Sequence, residues 1–202
     1  YEKIKSKGIP LILFDRGEND LNVDYVGIDD YNSSHIIINH LVSKGCKRIA
    51  HIGGFRRTRI FNNRMRGYID ALKKHQLPLD ESLIIESNLT IEDGRTKTHA
   101  LLELDPIPDA IYVAGDYAAL GALQVIQEKG LKIPHDIKLV GFGNEPFTSL
   151  VHPTITSIDQ NSRQIGKLAA ETFLSRIENP TVKQTLNKII FDAKLIVRES
   201  SE

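Results

Sequence analysis

The chain has 202 residues, of which 41% are hydrophobic and 26% charged, proportions that are ordinary for a soluble globular protein. Its 26 basic and 26 acidic residues give a net charge of zero, so bulk charge offers no reason to expect binding to nucleic acid or to an acidic membrane. No apolar run approaches the ~18 residues of a membrane span. A single cysteine, Cys46, excludes an internal disulfide and favours the reducing environment of the cytoplasm.

Helices and strands alternate along the sequence. The first seven residues resemble the end of a helix and lack the apolar core of a signal peptide, so we expect a fragment of a longer protein. Strands are predicted at 10–14, 25–28, 47–53, 83–85, 110–113, 138–142, 155–158, 188–191 and 195–197. Further helices are predicted at 31–44, 63–75, 91–104, 117–128 and 161–178. This alternation predicts an α/β fold with doubly wound parallel sheets.

The stretch from Ile107 to Phe142 is the clearest unit of this kind. Two apolar strands flank a helix rich in Ala and Leu that ends at Lys129-Gly130, a cation followed by a glycine suited to the C-cap. Ligands bind outside the carboxyl ends of strands in open parallel sheets. Gly115-Asp116 and Gly143-Asn144 both lie at such ends, and this shared edge is therefore the predicted binding site.

Two aspartates at strand ends have a structural and a functional interpretation each. Asp15 directly follows a buried strand, where its carboxylate could accept two hydroxyl hydrogen bonds from a sugar or nucleoside, or form a turn with its own backbone. Asp116 occupies a position that suits a helix N-cap, which would explain it without a ligand.

Five stretches together resemble the effector-binding part of lactose/galactose-repressor-type bacterial transcription regulators. These stretches are IPLILFDR, HLVSKGCKRIAHIGG, RMRGYIDAL, DAIYVAGDYAALGALQVIQEKGLKIPHDIKLVGF and HPTITSIDQ. The resemblance implies the fold of periplasmic sugar-binding proteins, in which two lobes enclose a ligand. It also implies that part of the N-terminal lobe and a helix-turn-helix domain precede Tyr1. Residues 1–30 and 159–180 would be the remnant of the N-terminal lobe, and residues 31–158 and 181–202 would form the C-terminal effector-binding and dimerisation lobe.

The same resemblance assigns ligand-facing positions. Arg64, the first arginine of RMRGY, would point into the cleft, although a solvated arginine in a basic loop is the alternative. Asp116 would accept ligand hydroxyls, and Leu89 would pack on the ligand or simply be a loop leucine. At Gly143 most members of this family carry an aspartate, so a known ligand specificity cannot be transferred. Asn144 or Glu145 is the predicted substitute for that lost hydrogen-bond acceptor.

No pattern in the sequence indicates catalysis or a bound cofactor. His35 and His40 are five residues apart and off a common helical face, and no P-loop or G-x-S-x-G motif is present. We therefore expect neither enzyme activity nor a cofactor or metal, and the family resemblance implies a protein that senses a small sugar-like effector. Helix 117–128 is apolar around most of its girth, which predicts a homodimer, although a helix wholly buried in its own core is the alternative. The resemblance implies that DNA binds only through the domain absent from this chain. The alternative is a periplasmic sugar-binding protein of a transporter.

Overall fold

Short apolar runs form two separate sheets whose strands are mainly parallel. The computed structural model describes residues 1–17, 22–178 and 186–202, which fall into two compact units. Unit 1 comprises Tyr1–Asp29 and Asn161–Ala193, and unit 2 comprises Asp30–Gln160 and Lys194–Glu202. This α/β architecture with parallel sheets confirms the predicted fold class.

Unit 1 contains a parallel sheet of three strands within the described residues, in the order β1-β2-β8. Its elements are α1 (Glu2–Lys5), β1 (Ile12–Phe14), β2 (Asp24–Ile28), α6 (Ser162–Glu178) and β8 (Lys188–Phe191). Helix α6 packs on β1 and β2. Arg176 of α6 fixes this contact with a two-pronged hydrogen bond from its guanidinium to the buried carboxylate of Asp24, at 2.7 and 2.8 Å.

One part of the predicted division into lobes is wrong. Residues 181–202 were assigned to the C-terminal lobe, but β8 pairs in parallel with β2, with Ile190 opposite Gly27, and so belongs to unit 1. Only the part from Lys194 onward joins unit 2. The two final strands therefore enter different sheets, which their similar apolar composition does not reveal. Residues 181–185 lie outside the described residues.

Unit 2 contains a sheet of six strands among the described residues, in the order β4-β3-β5-β6-β7-β9. Neighbouring strands run parallel except β9, which is antiparallel to β7. The strands are β3 (Ile49–Gly54), β4 (Ile84–Ser87), β5 (Ala110–Val113), β6 (Lys138–Gly143), β7 (Thr156–Asp159) and β9 (Lys194–Ile196). The helices are α2 (Asp30–Ser43), α3 (Arg59–Lys74), α4 (Ile91–Leu102) and α5 (Asp116–Glu128).

The order of the strands places a topological switch point between β3 and β5. The chain goes from β3 outward to β4 and then returns to pair β5 on the other side of β3. Loops that leave β3 and β5 diverge there and open a crevice, which is the usual ligand site in open α/β sheets. The predicted strand–helix–strand unit 107–142 is confirmed and forms the β5-α5-β6 segment beside this point.

The core of unit 2 is dense because two pairs of helices approach each other closely. Helix α2 packs against α3, and α4 packs against α5. Glycines permit these contacts, since a methyl group at Gly67 would collide with the carbonyl oxygen of Tyr31, and one at Gly94 with that of Ala118. Apolar residues of β3, β5, β6, α4 and α5 form one continuous buried cluster.

Among the described residues, no helix is both long enough and apolar enough to cross a bilayer.

Candidate functional site

The candidate site is the carboxyl edge of unit 2, meaning residues 55, 88–89, 114–116, 143–144 and 160, which end or follow the parallel strands. Arg64 extends from α3 to the centre of this edge. Its Nε donates to Asp30 Oδ1 at 2.8 Å, and its Nη1 donates to the carbonyl oxygen of Ala114 at 2.9 Å. Its Nη2 donates to Gln160 Oε1 at 3.4 Å. One guanidinium thereby joins α2, the end of β5 and the end of β7.

Arg64 is buried as well as hydrogen-bonded. Its guanidinium carbon lies 3.5 Å from the centroid of the Phe142 ring, a distance that allows a strong cation–π contact. Its side chain and that of Asp30 are each 5% exposed. The alternative of a solvated arginine in a basic loop is therefore wrong. The ligand-facing role of Arg64 stays a prediction. The three hydrogen bonds of its guanidinium also hold the segments of this edge together.

Asp116 begins α5 but does not cap it. The N-cap is Gly115, and the carboxylate of Asp116 turns toward β6 and β7. Its Oδ1 accepts a hydrogen bond from Ser157 Oγ at 2.7 Å, and its Oδ2 accepts one from the backbone N–H of Glu145 at 2.8 Å. The N-cap interpretation is wrong because these two partners, far away in sequence, compete successfully with the backbone of the helix's own first turn.

The environment of Asp116 has opposing effects on its ionisation. Burial raises the pKa of this carboxyl above its ordinary value, while hydrogen bonds from Glu145, Ser157 and Phe142 act in the opposite direction. Space for the carboxylate comes from two glycines of β6, because a side chain at Gly141 would collide with Oδ1. The carboxylate is thus held in a fixed position at the edge.

Asn144 follows β6 in a left-handed conformation, with φ of +54°. Its backbone N–H donates to Ser157 Oγ at 3.0 Å, and its side-chain oxygen accepts from Arg198 Nη2 at 2.7 Å. Asparagine tolerates this conformation better than most residues. Arg198 thereby holds the oxygen that was predicted to replace the missing aspartate.

Leu89 also has a left-handed backbone, with φ of +61°, which is uncommon for a leucine. Its backbone N–H donates to Ser87 Oγ at 3.1 Å, and its side chain lies over Gly115. The strained conformation turns Leu89 back toward the end of β5. An apolar side chain is thereby placed beside the polar groups of the same edge.

Asp15 lies in unit 1, where it follows β1 with φ of +58°. Its side chain is 50% exposed, and its backbone oxygen accepts a hydrogen bond from Tyr25 Oη at 2.9 Å. The structure therefore gives Asp15 an accessible carboxylate at the end of a parallel strand. Its predicted contact with a ligand stays a prediction.

The structure brings Arg64, Asp116, Asn144 and Leu89 together at one edge of unit 2. Sequence reasoning missed the residues that connect them, which are Asp30, Phe142, Ser157, Gln160 and Arg198. Gln160 could have been considered, because it follows an apolar strand in the HPTITSIDQ stretch. Within the described residues, no three His, Cys, Asp or Glu side chains are grouped as ligands for a metal ion.

Similarity to known proteins agrees with this arrangement. Residues 38–201 match the periplasmic binding protein-like domain family. The ribose operon repressor of Haemophilus influenzae is 30% identical over 192 residues, which cover 95% of this chain. The chain spans 57% of the length of that repressor.

Two solved structures are similar over nearly the whole chain. A structure described as a transcriptional regulator LacI from Bacillus cereus subsp. cytotoxis is 28% identical, with a TM-score of 0.92, and covers 100% of this chain and 71% of its own. A LacI family transcriptional regulator from Enterococcus faecium with bound ribose is 25% identical, with a TM-score of 0.91. The match covers 99% of this chain and 73% of the chain of that regulator. The chain belongs to the periplasmic binding protein-like domain family, and its relatives include the lactose-repressor-type regulators that its motifs resemble.

Proposed function

We propose that this chain is the effector-binding and dimerisation part of a bacterial transcription regulator that senses a small sugar-like metabolite. The observation that carries the proposal is the set of fixed polar groups at the carboxyl edge of unit 2. Arg64, Asp116 and Asn144 present charged and amide groups there, beside the apolar side chain of Leu89. Sugars have polar hydroxyls and apolar C–H faces, and this combination suits both.

The relatives support this choice of ligand and of role. The repressor from Haemophilus influenzae is named for the ribose operon, and the regulator from Enterococcus faecium contains ribose. The transporter alternative has less support, since these relatives act in transcription. Their roles also favour a cytoplasmic protein that is not an enzyme.

An effector acts on such a protein only through its different affinities for two conformations. A coupling free energy of ~1–3 kcal/mol between effector and DNA is typical of allosteric proteins. DNA would bind through a helix-turn-helix domain outside this chain. Residues 1–202 alone are neutral overall, in contrast to the basic character of most DNA-binding domains.

Exposed apolar side chains on unit 2 support the proposed homodimer. Eight of the thirteen residues of α5 are buried within the chain, so the apolar girth of this helix, on which the dimer prediction rested, is mostly covered by its own unit. Tyr117, however, is 52% exposed and packs on Phe147, with ring centroids 5.1 Å apart. Leu150 in the next turn is 82% exposed. A second copy would cover these apolar side chains.

Two measurements test the proposal. Fluorescence anisotropy of the full-length protein on DNA from upstream of its own gene should change when D-ribose or another sugar is added, whereas residues 1–202 alone should not bind that DNA. Sedimentation should show a dimer that Leu150→Glu converts to a monomer. Leu79→Glu is the matched control, because Leu79 is 49% exposed but lies outside this surface. DNA affinity that no sugar or nucleoside changes would contradict the sensor role.

A further inference from the structure

We propose that Tyr25 is a positioning residue for effector binding, because its hydroxyl holds the backbone of Asp15 and so fixes where the Asp15 carboxylate lies. This inference rests on the proposed function and on the predicted contact of Asp15 with the ligand. Both residues belong to unit 1, in which β1 and β2 are neighbouring parallel strands.

The side chain of Tyr25 runs along β2 toward the carboxyl end of that strand. Leu13 of β1 lies opposite Tyr25 in the sheet, yet Tyr25 Oη donates to the carbonyl oxygen of Asp15, two residues further along β1, at 2.9 Å. Side chains two residues apart in a strand share a face, so that of Tyr25 passes over Gly27. A methyl group at Gly27 would collide with the Tyr25 hydroxyl, and glycine therefore leaves the path to Asp15 open.

The ring of Tyr25 is enclosed on a second side by the segment that follows β1. A methyl group at Gly17, which is itself buried, would collide with this ring. Tyr25 is only 6% exposed. The ring therefore lies against Gly17 as well as Gly27, and the hydroxyl that it carries is a donor in a fixed position.

The backbone of Asp15 is held on both of its polar groups. Its carbonyl oxygen accepts from Tyr25 Oη and, at 3.2 Å, from the N–H of Gly17. These two donors occupy both lone pairs of the carbonyl oxygen. The N–H of Asp15 donates to the carbonyl oxygen of Val26 at 3.1 Å. Asp15 is thereby fixed in its left-handed conformation, with φ of +58°.

The carboxylate is the acceptor that Asp15 can still offer to a ligand. Its side chain is 50% exposed, and Nε of the neighbouring Arg16, which is 68% exposed, lies 4.0 Å from Oδ2. An exposed ion pair at this distance contributes little, so the direction of the carboxylate is set by the backbone that Tyr25 holds. A carboxylate already in position reduces the ordering that binding of an effector hydroxyl would otherwise require.

Isothermal titration of the full-length protein with D-ribose, D-glucose and D-galactose first identifies the sugar that binds most tightly. Tyr25→Phe should bind this sugar about 3- to 10-fold more weakly, as for loss of one neutral hydrogen bond. Tyr68→Phe is the matched control, because it removes a buried hydroxyl that also donates to a backbone carbonyl, that of Ile49, at 2.8 Å. Ile49 is the first residue of β3 and lies at the amino edge, so this control should leave the affinity unchanged.

A double variant tests whether Tyr25 acts through Asp15. Asp15→Gly removes the carboxylate and tolerates the left-handed backbone, and it should weaken binding by itself. Adding Tyr25→Phe to Asp15→Gly should weaken binding no further, because no carboxylate remains to be positioned. A merely structural effect of Tyr25 would instead multiply with that of Asp15→Gly.

Hydrogen exchange provides a measurement that needs no ligand. In the ligand-free protein, Tyr25→Phe should speed exchange at the amides of Asp15 and Gly17, whereas Tyr68→Phe should not. Unchanged exchange at these two amides would show that the hydroxyl does not hold this segment, and the inference would be wrong.

The outcomes separate this inference from the proposed function. If a sugar binds but Tyr25→Phe leaves its affinity unchanged, or the effects of Tyr25→Phe and Asp15→Gly multiply, the inference is wrong while the sensor role stands. If none of the three sugars binds the wild-type protein, the sugar assignment fails, and the inference fails with it.

Discussion

Arg64 Nε lies 2.8 Å from Asp30 Oδ1, and each of these side chains is 5% exposed. This pair joins the first turn of α2 to α3, while the other two nitrogens of Arg64 bond to groups that follow β5 and β7. The geometry of the candidate site and the stability of unit 2 therefore depend on the same charged pair.

Removing one partner of this pair should destabilise the protein strongly. Arg64→Met should lower the free energy of unfolding by about 3–5 kcal/mol, because it leaves the carboxylate of Asp30 buried without its counter-charge. Asp30→Asn should be destabilising for the corresponding reason. Urea denaturation of the single variants and of the double variant measures both effects. If the losses of the single variants simply add in the double variant, the two residues do not act as a pair.

Contacts between helices should make glycine irreplaceable at some positions and not at others. Gly94→Ala should destabilise the protein by ~1–3 kcal/mol, since the new methyl group collides with the carbonyl oxygen of Ala118 in α5. Gly166→Ala is the matched control, as it also lies within a helix but has open space around it. That change should be neutral or stabilise by up to ~1 kcal/mol. Equal effects of the two substitutions on urea denaturation would show that α4 and α5 do not pack this closely.

His51 should make the protein less stable in mild acid. It is fully buried between the rings of Tyr68 and Tyr112, and burial lowers its pKa from 6.5 to about 3. The unfolded chain therefore binds a proton below pH 6.5 that the folded chain does not bind. Stability is greatest above that pH and decreases as the pH falls toward 3, by about 2 kcal/mol between pH 7 and pH 5.

The variant His51→Phe isolates this effect, because it retains an aromatic ring in the stack without a titrating group. Between pH 7 and pH 5, the free energy of unfolding should fall by about 2 kcal/mol less in this variant than in the wild type. Identical pH dependence of the two proteins in urea titrations would mean that His51 is protonated in the folded state.

Cys46 should be chemically inert in the folded protein. It is 5% exposed, and burial raises the pKa of its thiol to about 11, with Asp109 contributing in the same direction. Since the thiolate is the nucleophile, reaction with Ellman's reagent at pH 8 should proceed only as fast as the protein opens. In urea the thiol should react at once. Rapid labelling without denaturant would show that Cys46 is accessible.

Local sequence signals were sufficient to predict the elements around the site. The bounds of β5 and α5 follow from an apolar β-branched run and from Lys129-Gly130 at the end of the helix. Helix α3 begins at Arg59, four residues before the predicted start. Its N-cap residue, Thr58, makes no side-chain cap hydrogen bond, and no acidic residue marks its first turn.

Partnerships between distant residues could not be predicted in this way. Asp116 has the sequence context of an N-cap, but its partners Glu145 and Ser157 are 29 and 41 residues away. The resemblance predicts a ligand-facing Arg64, yet nothing near it in sequence indicates Asp30 or Gln160. The pairing of β8 with β2 likewise joins segments more than 150 residues apart, and both final strands were equally compatible with either sheet.

The most direct test of the sensor role is thermal unfolding of the full-length protein with and without D-ribose, other sugars and nucleosides. At about 100 times its dissociation constant, a ligand that binds only the folded state stabilises it by about 2.7 kcal/mol. The proposed function predicts that at least one of these compounds raises the melting temperature, by an amount that grows with its concentration. An unchanged melting temperature with every sugar and nucleoside would contradict it.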